Sequence, residues 1–282
     1  GRNAAKGQER LYSHIKAGAV VLSIPDDESL FCKTPNLIWK AFAILKAFRD
    51  PGERLTCQEL SQRARLPKAS GHRLILTLEE IGAVVRGPQG RYQLGMLFVS
   101  LSQNVAKHSL LRRVAEPVLR DLANDLEMTV HMGALNGGMV TYLSKIAVPG
   151  SFQTHTKPDA QLEAYCTGLG KVLLAALPEE QLESVIMDGA LVALTPFTIT
   201  EPNRLRAELV KVRNQGFAED DRETRTDMRC LAVPVRDGAN FVVAAISCTA
   251  PFEQISDDNR TALCGVLHAA SRAVTARLYP SL

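Results

Sequence analysis

The feature that most limits the fold of this chain is a pair of short helical patterns separated by only two residues. Thr56 and Glu59 have the Thr-x-x-Glu spacing of a capping box, which predicts the start of a short helix. Pro67 fits the first turn of a second helix, whose apolar residues recur at helical spacing as far as Gly82. Two short helices around the turn at residues 65–66 have the geometry of a helix-turn-helix.

The sequence on both sides of this pair predicts a winged form of the motif. Thr34-Pro35 supplies an N-cap followed by proline at the first helical position, and the spacing after it predicts a first helix that ends at Asp50-Pro51-Gly52. Residues 83–86 and 91–94 have strand composition around a Gly/Pro turn, which predicts a β-hairpin, the wing. A winged helix-turn-helix is therefore expected over residues 34–95.

The charge of this segment indicates a polyanionic partner. Residues 34–95 hold ten Lys/Arg against five acidic residues and carry +5, so the rest of the chain carries −2 of the formal +3. In a helix-turn-helix the second helix enters the major groove of DNA. The alternative is a protein-interaction module, in which the basic residues only solvate the outer face. The candidate DNA-binding residues are Lys68, Ala69, Ser70, His72 and Arg73 in the second helix, and Arg86 and Arg91 in the wing.

The rest of the chain alternates strand and helix patterns and predicts a second, α+β domain on an antiparallel sheet. Asn136-Gly137 and Asp237-Gly238 are expected to form hairpin turns, because these residues tolerate positive φ. The expected organisation is an N-terminal extension over residues 1–33, the winged domain over 34–95, a linker helix over 96–107 and the second domain over 108–282.

Several other classes of protein are disfavoured. No apolar run reaches the roughly 18 to 20 residues that cross a bilayer, and no secretory signal pattern is present, so a cytoplasmic protein without a membrane partner is expected. The six cysteines lack metal-site spacing, and neither a metal nor a cofactor is expected. Thr167-Gly-Leu-Gly-Lys-Val172 is not a P-loop, because Val172 stands where Ser or Thr is required, and Lys171 is expected to cap or pair locally. A Cys166 or Cys230 nucleophile with His131 or His155 as base is a remote alternative, and no enzyme activity is expected.

Several blocks of the chain strongly resemble the IclR family of bacterial transcription regulators. They are Leu66 to Val84 with Gly90-Arg-Tyr-Gln-Leu-Gly95, Thr129-Val-His-Met-Gly, Tyr165-Cys-Thr-Gly-Leu-Gly-Lys-Val-Leu-Leu-Ala175, Phe217-Ala-Glu-Asp220, Met228-Arg-Cys-Leu-Ala-Val-Pro234 and Ala245-Ile-Ser-Cys-Thr249. The resemblance implies a GAF-like effector-binding second domain, dimers or tetramers, pseudo-palindromic operator DNA, and a small organic acid or aromatic catabolite as effector.

The resemblance also implies an effector pocket, in which two backbone N–H groups and Ser and Thr hydroxyls hold a carboxylate. Asp220 is expected to accept a hydrogen bond from a ligand hydroxyl or from a protonated second group. Tyr165 and Gly168 depart from the family's usual His and Ala, which is expected to alter the shape of the pocket. A second domain that only oligomerises is the alternative. The implied effector-binding residues are Gly168, Leu169, Asp220, Met228, Cys230, Ser247 and Thr249.

Overall fold

A computed structural model describes residues 36–280. Contacts divide these residues into an N-terminal unit that ends at Ala106 and a C-terminal unit that begins at Lys107. The predicted extension over residues 1–33, together with Thr34 and Pro35, lies outside the described residues.

The N-terminal unit consists of short helices around a three-stranded antiparallel sheet with strand order β1-β3-β2. Its core is formed by apolar residues from the helices and the wing, among them the fully buried Ile44, Leu60 and Ile75. The elements are α1 (Leu37–Leu45), β1 (Leu55–Thr56), α2 (Cys57–Arg63), α3 (Lys68–Glu80), β2 (Val84–Arg86), β3 (Arg91–Leu94) and α4 (Leu97–Gln103).

The predicted helix-turn-helix is confirmed, with Pro67 as the N-cap of α3 instead of a residue of its first turn. Thr56 caps α2, because its hydroxyl accepts from the amide of Glu59 at 3.2 Å and the Glu59 carboxylate accepts from the amide of Thr56 at 2.7 Å. α2 and α3 cross closely at Gly71, where a Cβ atom would lie 2.2 Å from Oγ of Ser61. Only glycine therefore permits this crossing without a shift of the helices. The predicted wing is present as β2 and β3.

The first helix differs from the prediction at both ends, since Thr34 was predicted as its N-cap. α1 stops at Leu45 rather than at residues 50–52, and its N-cap is Asn36, whose side chain accepts from the amide of Trp39 at 3.1 Å. Beyond the end of α1, a side chain replaces the helical carbonyl as acceptor: the Glu53 carboxylate accepts from the amide of Arg49 at 2.8 Å. Strand β1 was not predicted, since two residues are too few to show a period.

The C-terminal unit is built on one six-stranded antiparallel sheet with order β6-β5-β4-β9-β8-β7, so the predicted α+β class is confirmed. The described helices include none with the length and apolarity to cross a membrane. The elements are α5 (Lys107–Leu126), β4 (Thr129–Asn136), β5 (Met139–Ile146), β6 (Gln161–Glu163), α6 (Gly168–Ala175), α7 (Glu179–Asp188), α8 (Pro202–Gln215), β7 (Ala218–Asp221), β8 (Met228–Arg236), β9 (Val242–Pro251) and α9 (Asp257–Leu278).

The two faces of the sheet differ in chemistry. α5 and α9 cover one face and pack on apolar side chains such as Ile246 and Cys248. α6 covers the other face, to which the alternation of β9 directs Ser247 and Thr249. Polar side chains are therefore buried on the α6 side of the sheet.

Some local predictions for this unit are wrong. Strands β6 and β7 were not predicted, because they have only three and four residues, too few to show a clear alternation. In the β4–β5 turn the residues with positive φ are Gly137 and Gly138, one position later than predicted. In the β8–β9 turn the left-handed residue is Asn240, and Asp237 accepts from the amides of Ala239 and Phe241 instead of forming a two-residue turn.

Candidate functional site

The α6 side of the sheet contains a cavity of about 390 Å³, which we call the polar cavity. It lies at the N-terminal end of α6, between that helix and strands β4, β7, β8 and β9. The structure thus brings together residues that are up to 118 positions apart in sequence, from His131 to Thr249. All seven residues predicted for the effector pocket line it: Gly168, Leu169, Asp220, Met228, Cys230, Ser247 and Thr249.

The N-terminus of α6 presents hydrogen-bond donors to the polar cavity. Thr167 is the N-cap, and its hydroxyl accepts from the amide of Gly170 at 3.1 Å. The preceding amides of Gly168 and Leu169 have no hydrogen-bond partner within the described part of the chain. Amides at a helix N-terminus carry partial positive charge and favour an anion.

Hydroxyl groups of β9 lie beside these amides. Ser247 is 3% exposed and lines the polar cavity, and within residues 36–280 its hydroxyl has no hydrogen-bond partner. Oγ1 of Thr249 lies 3.2 Å from Sγ of Cys230 and 3.5 Å from Nδ1 of His131. Because Ser247 lines the cavity, a ligand or a water molecule there can complete this hydroxyl. The cavity therefore has an unused polar group in its wall.

His131 lies in the same wall, although the sequence suggested it only as a remote catalytic base. Its Nε2 lies 2.8 Å from Oγ1 of Thr156 and 3.3 Å from Oγ1 of Thr154. Burial, reinforced by the nearby Lys145 ammonium, lowers the pKa of His131 from its ordinary 6.5 to about 3. His131 is thus neutral near pH 7. A histidine on the cavity-facing side of β4 was the one sequence signal for this group.

Lowering the pH should destabilise the folded chain through His131. The unfolded chain takes up a proton near pH 6.5, whereas the folded chain does so only near pH 3, so stability is lost as the pH falls below 6.5. This loss amounts to about 2 kcal/mol between pH 8 and pH 5. We expect His131→Gln to remove that part of the pH dependence of urea unfolding. His155→Gln, at an exposed lining residue, is the matched control and should leave the dependence unchanged.

Asp220 faces the polar cavity but is already bonded within the protein. Its Oδ1 accepts from the amides of Glu223 and Thr224 at 2.7 and 3.3 Å, and its Oδ2 accepts from the Thr224 hydroxyl at 2.5 Å. Burial raises the pKa of Asp220 to about 6, against these hydrogen bonds. Asp220 therefore holds the turn after β7, and only part of its capacity to accept hydrogen bonds remains for a ligand.

Lys171 differs from the prediction of local capping or pairing. It is 1% exposed, and its ammonium contacts the carboxylate of Glu223, 52 residues along the chain. Oε1 of Glu208 lies 3.9 Å away. Burial raises the pKa of Glu223 to about 7, and the Lys171 ammonium opposes the shift. The sequence could not reveal this pair, because the fold alone brings α6 and the turn after β7 together.

Other features weigh against nucleophilic chemistry in this cavity. Burial raises the pKa of the Cys166 thiol to about 12 and that of Cys230 well above its usual range, so neither is a thiolate near pH 7. In residues 36–280 no three His, Cys, Asp or Glu side chains form a metal-binding group. Tyr165 is not among the residues lining the polar cavity, contrary to the expected effect on its shape, and its hydroxyl donates to Val192 O at 2.7 Å.

The residues predicted to bind DNA lie mainly on the open face of α3. Gly71, Leu74, Ile75 and Leu78 form the buried face of this helix. The opposite side exposes Lys68, Ala69, His72 and Arg73, with Ser70 half-buried. Within the described chain no carboxylate lies within 4.0 Å of Lys68 or Arg73.

The two wing arginines differ from each other. Arg86 is exposed, and its guanidinium lies 6.0 Å from the centre of the Tyr92 ring. Arg91 is half-buried, donating to Arg54 O at 3.0 Å and lying 3.5 Å from Oε2 of Glu59. Arg86 is therefore free to meet DNA, whereas Arg91 first has to leave its contacts within the protein.

Comparison with known proteins accounts for both units. Residues 38–88 match the model of the IclR helix-turn-helix domain, and residues 103–276 match that of the bacterial transcriptional regulator IclR C-terminal domain. The chain belongs to the IclR family. This IclR-family chain is a DNA-binding transcriptional regulator.

Individual relatives agree with this assignment. The chain is 30% identical to the HTH-type transcriptional regulator KdgR of Dickeya chrysanthemi over 239 residues, 84% of this chain and 78% of the relative. The solved IclR structure of Thermotoga maritima is 25% identical, with a TM-score of 0.58 over 87% of this chain and 99% of that one. An IclR homolog of Microbacterium hydrocarbonoxydans, solved in complex with 4-hydroxybenzoate, is 22% identical, with a TM-score of 0.57 over 86% and 99%.

Proposed function

We propose that this IclR-family chain binds a pseudo-palindromic operator in a sequence-specific manner, and that a small organic acid or aromatic catabolite in the polar cavity modulates this binding. The regulator would act in the cytoplasm as a dimer or tetramer. The observation that carries the proposal is the donor set in the cavity wall: the two free amides of α6 beside the unpartnered hydroxyl of Ser247.

The chemistry of the cavity supports a carboxylate ligand. Two amides and a hydroxyl can donate to a carboxylate without a buried cation, and the α6 N-terminus adds its partial positive charge. Leu169, Met228 and Tyr142 supply apolar walls for the rest of the molecule. A volume of about 390 Å³ lies in the range of small-molecule sites. The 4-hydroxybenzoate in the Microbacterium homolog is an acid of this kind.

The DNA-binding half of the proposal predicts the effect of Arg73→Ala. Arg73 is exposed on α3, so its loss should weaken operator binding and lower the slope of log K against log salt by about 0.9. Fluorescence anisotropy with an operator duplex at several salt concentrations measures both. Arg272→Ala, which removes an exposed arginine of the C-terminal unit, is the control. An unchanged slope in Arg73→Ala would remove this residue from the DNA contact.

The effector half is tested by thermal melting of the full chain against a panel of carboxylic acids and aromatic catabolites. A binding acid stabilises by RT ln(1 + [L]/Kd), about 2.7 kcal/mol at 100-fold excess over Kd. We expect Ser247→Ala to lose most of the response to the acids that stabilise the unaltered chain, while operator affinity without acid stays within about twofold. The matched control is Cys248→Ala, on the same strand but facing the opposite core. If no acid shifts the melting temperature, the alternative of a purely oligomerising domain is favoured.

A further inference from the structure

A loop without regular secondary structure borders the polar cavity. We call it the cover loop, residues 189–201 between α7 and α8. Its Leu194 lines the polar cavity while remaining 51% exposed. On one side the loop is held by Tyr165, whose hydroxyl donates to Val192 O at 2.7 Å. Leu191 and Ile199 pack against the core, whereas Val192 and Phe197 are exposed like Leu194. A loop that exposes so many of its apolar side chains opens more easily than the sheet beneath it.

The other side of the cover loop is fastened to residues 222 and 223. The carbonyl oxygen of Glu223 accepts from the hydroxyl of Thr198 at 2.6 Å and from that of Thr195 at 3.3 Å. Thr195 also donates to the carbonyl of Arg222 at 2.7 Å. The side chain adds a further contact, because Oε2 of Glu223 accepts from the amide of Ile199 at 3.4 Å.

Glu223 also holds the two other walls of the cavity. Its amide donates to Asp220 at 2.7 Å, which fixes the turn after β7. Its carboxylate contacts Lys171, one turn after the free amides of Gly168 and Leu169 on α6. Three cavity walls that are remote in sequence, α6, the β7 turn and the cover loop, therefore meet at one residue.

The free energy of folding alone does not explain why Lys171 and Glu223 form a buried ion pair. Taking Lys171 and Glu223 out of water is costly, and well-packed apolar residues are often at least as stable. The pair does supply directed contacts, since a carboxylate accepts from the ammonium and from the Ile199 amide at fixed positions. The pair therefore contributes by fixing the positions of α6 and the cover loop relative to Glu223.

We propose that Glu223, oriented by Lys171, is the positioning residue that keeps the cover loop closed over the polar cavity. That this closure serves an effector rests on the proposed function above. The closure itself is a property of the ligand-free chain, and it can be tested without any acid.

Hydrogen exchange of the ligand-free full chain, followed by mass spectrometry, tests the proposal. Glu223→Gln should accelerate exchange in peptides covering residues 191–199 by tenfold or more, while peptides of β4, β8 and β9 stay within twofold. Glu208→Gln is the matched control, because Glu208 is also close to Lys171 but, within residues 36–280, makes no hydrogen bond with the cover loop. It should leave exchange of the loop unchanged.

A second pair of variants changes Thr198 in the cover loop and leaves Glu223 intact, in case Glu223→Gln fails to fold. Thr198→Val removes the hydroxyl that donates to Glu223 and should open the loop as Glu223→Gln does. Thr198→Ser keeps that hydroxyl and should behave like the unaltered chain. Unchanged loop exchange in Thr198→Val, or acceleration spread equally over the sheet, overturns the proposal. Because no acid is present, this failure is distinct from a missing response in the melting panel.

Discussion

Gly170→Ala is expected to unfold the C-terminal unit or to destabilise it by about 3 kcal/mol or more. A Cβ atom on Gly170 would lie 2.1 Å from the carbonyl oxygen of Ala164 and 2.3 Å from its Cα. These are backbone atoms, so no side-chain rotation relieves the contact. The usual gain of about 1 kcal/mol for replacing a helical glycine by alanine is therefore overturned at this position.

The matched control lies two residues away on the same helix. A Cβ atom on Gly168 would meet Ala232 Cβ at 3.4 Å and Cys230 Cβ at 3.7 Å, which are ordinary contacts. Gly168→Ala should fold with a stability within about 1 kcal/mol of the unaltered chain, with a slightly smaller polar cavity. Urea unfolding followed by circular dichroism compares the two variants. Equal stability of both would show that α6 does not approach Ala164 as closely as described.

Lys171→Met should cost about 3 kcal/mol, the low end for a broken buried pair, because Glu223, whose pKa burial raises to about 7, takes up a proton once its cation is gone. The nearby Glu208 cannot compensate, since it carries the same charge as Glu223. Urea unfolding of the full chain measures the loss.

The double variant Lys171→Met/Glu223→Leu separates loss of charge balance from loss of volume. With both charges replaced by apolar groups, most of the lost stability should return. The cover loop should nevertheless exchange faster, because the carboxylate that accepts from the Ile199 amide and the Lys171 contact that orients residue 223 are both gone. Costs that simply add in the double variant would mean that the two residues do not act as a pair.

Local signals in the sequence were sufficient for most of the architecture. The capping box at Thr56 and Glu59 involves residues three apart, and the periods of α3 and β4 are visible in their own segments. What the sequence could not predict depends on distant partners. Strand β6 is recognisable only through its pairing with β5, which lies 20 to 24 residues earlier in the chain.

The candidate site divides in the same way. The resemblance to the family placed seven residues, and all seven line one cavity, although their contact with an effector stays a prediction. The residues that hold this cavity in shape were not predicted. Glu223 and Thr198 carry no motif of their own, and their roles arise from hydrogen bonds that span 25 residues or more.

Helix α6 is buried along all eight of its residues. Its first turn lines the polar cavity, and the carbonyl of its last residue, Ala175, accepts from Arg213 of α8 at 2.8 Å. A ligand that displaced the first turn would shift the helix against this hydrogen bond, which lies beside a second cavity of about 360 Å³ lined by Ala175 and Arg213. A small molecule in the polar cavity would in this way displace side chains at the other end of α6 that it does not contact.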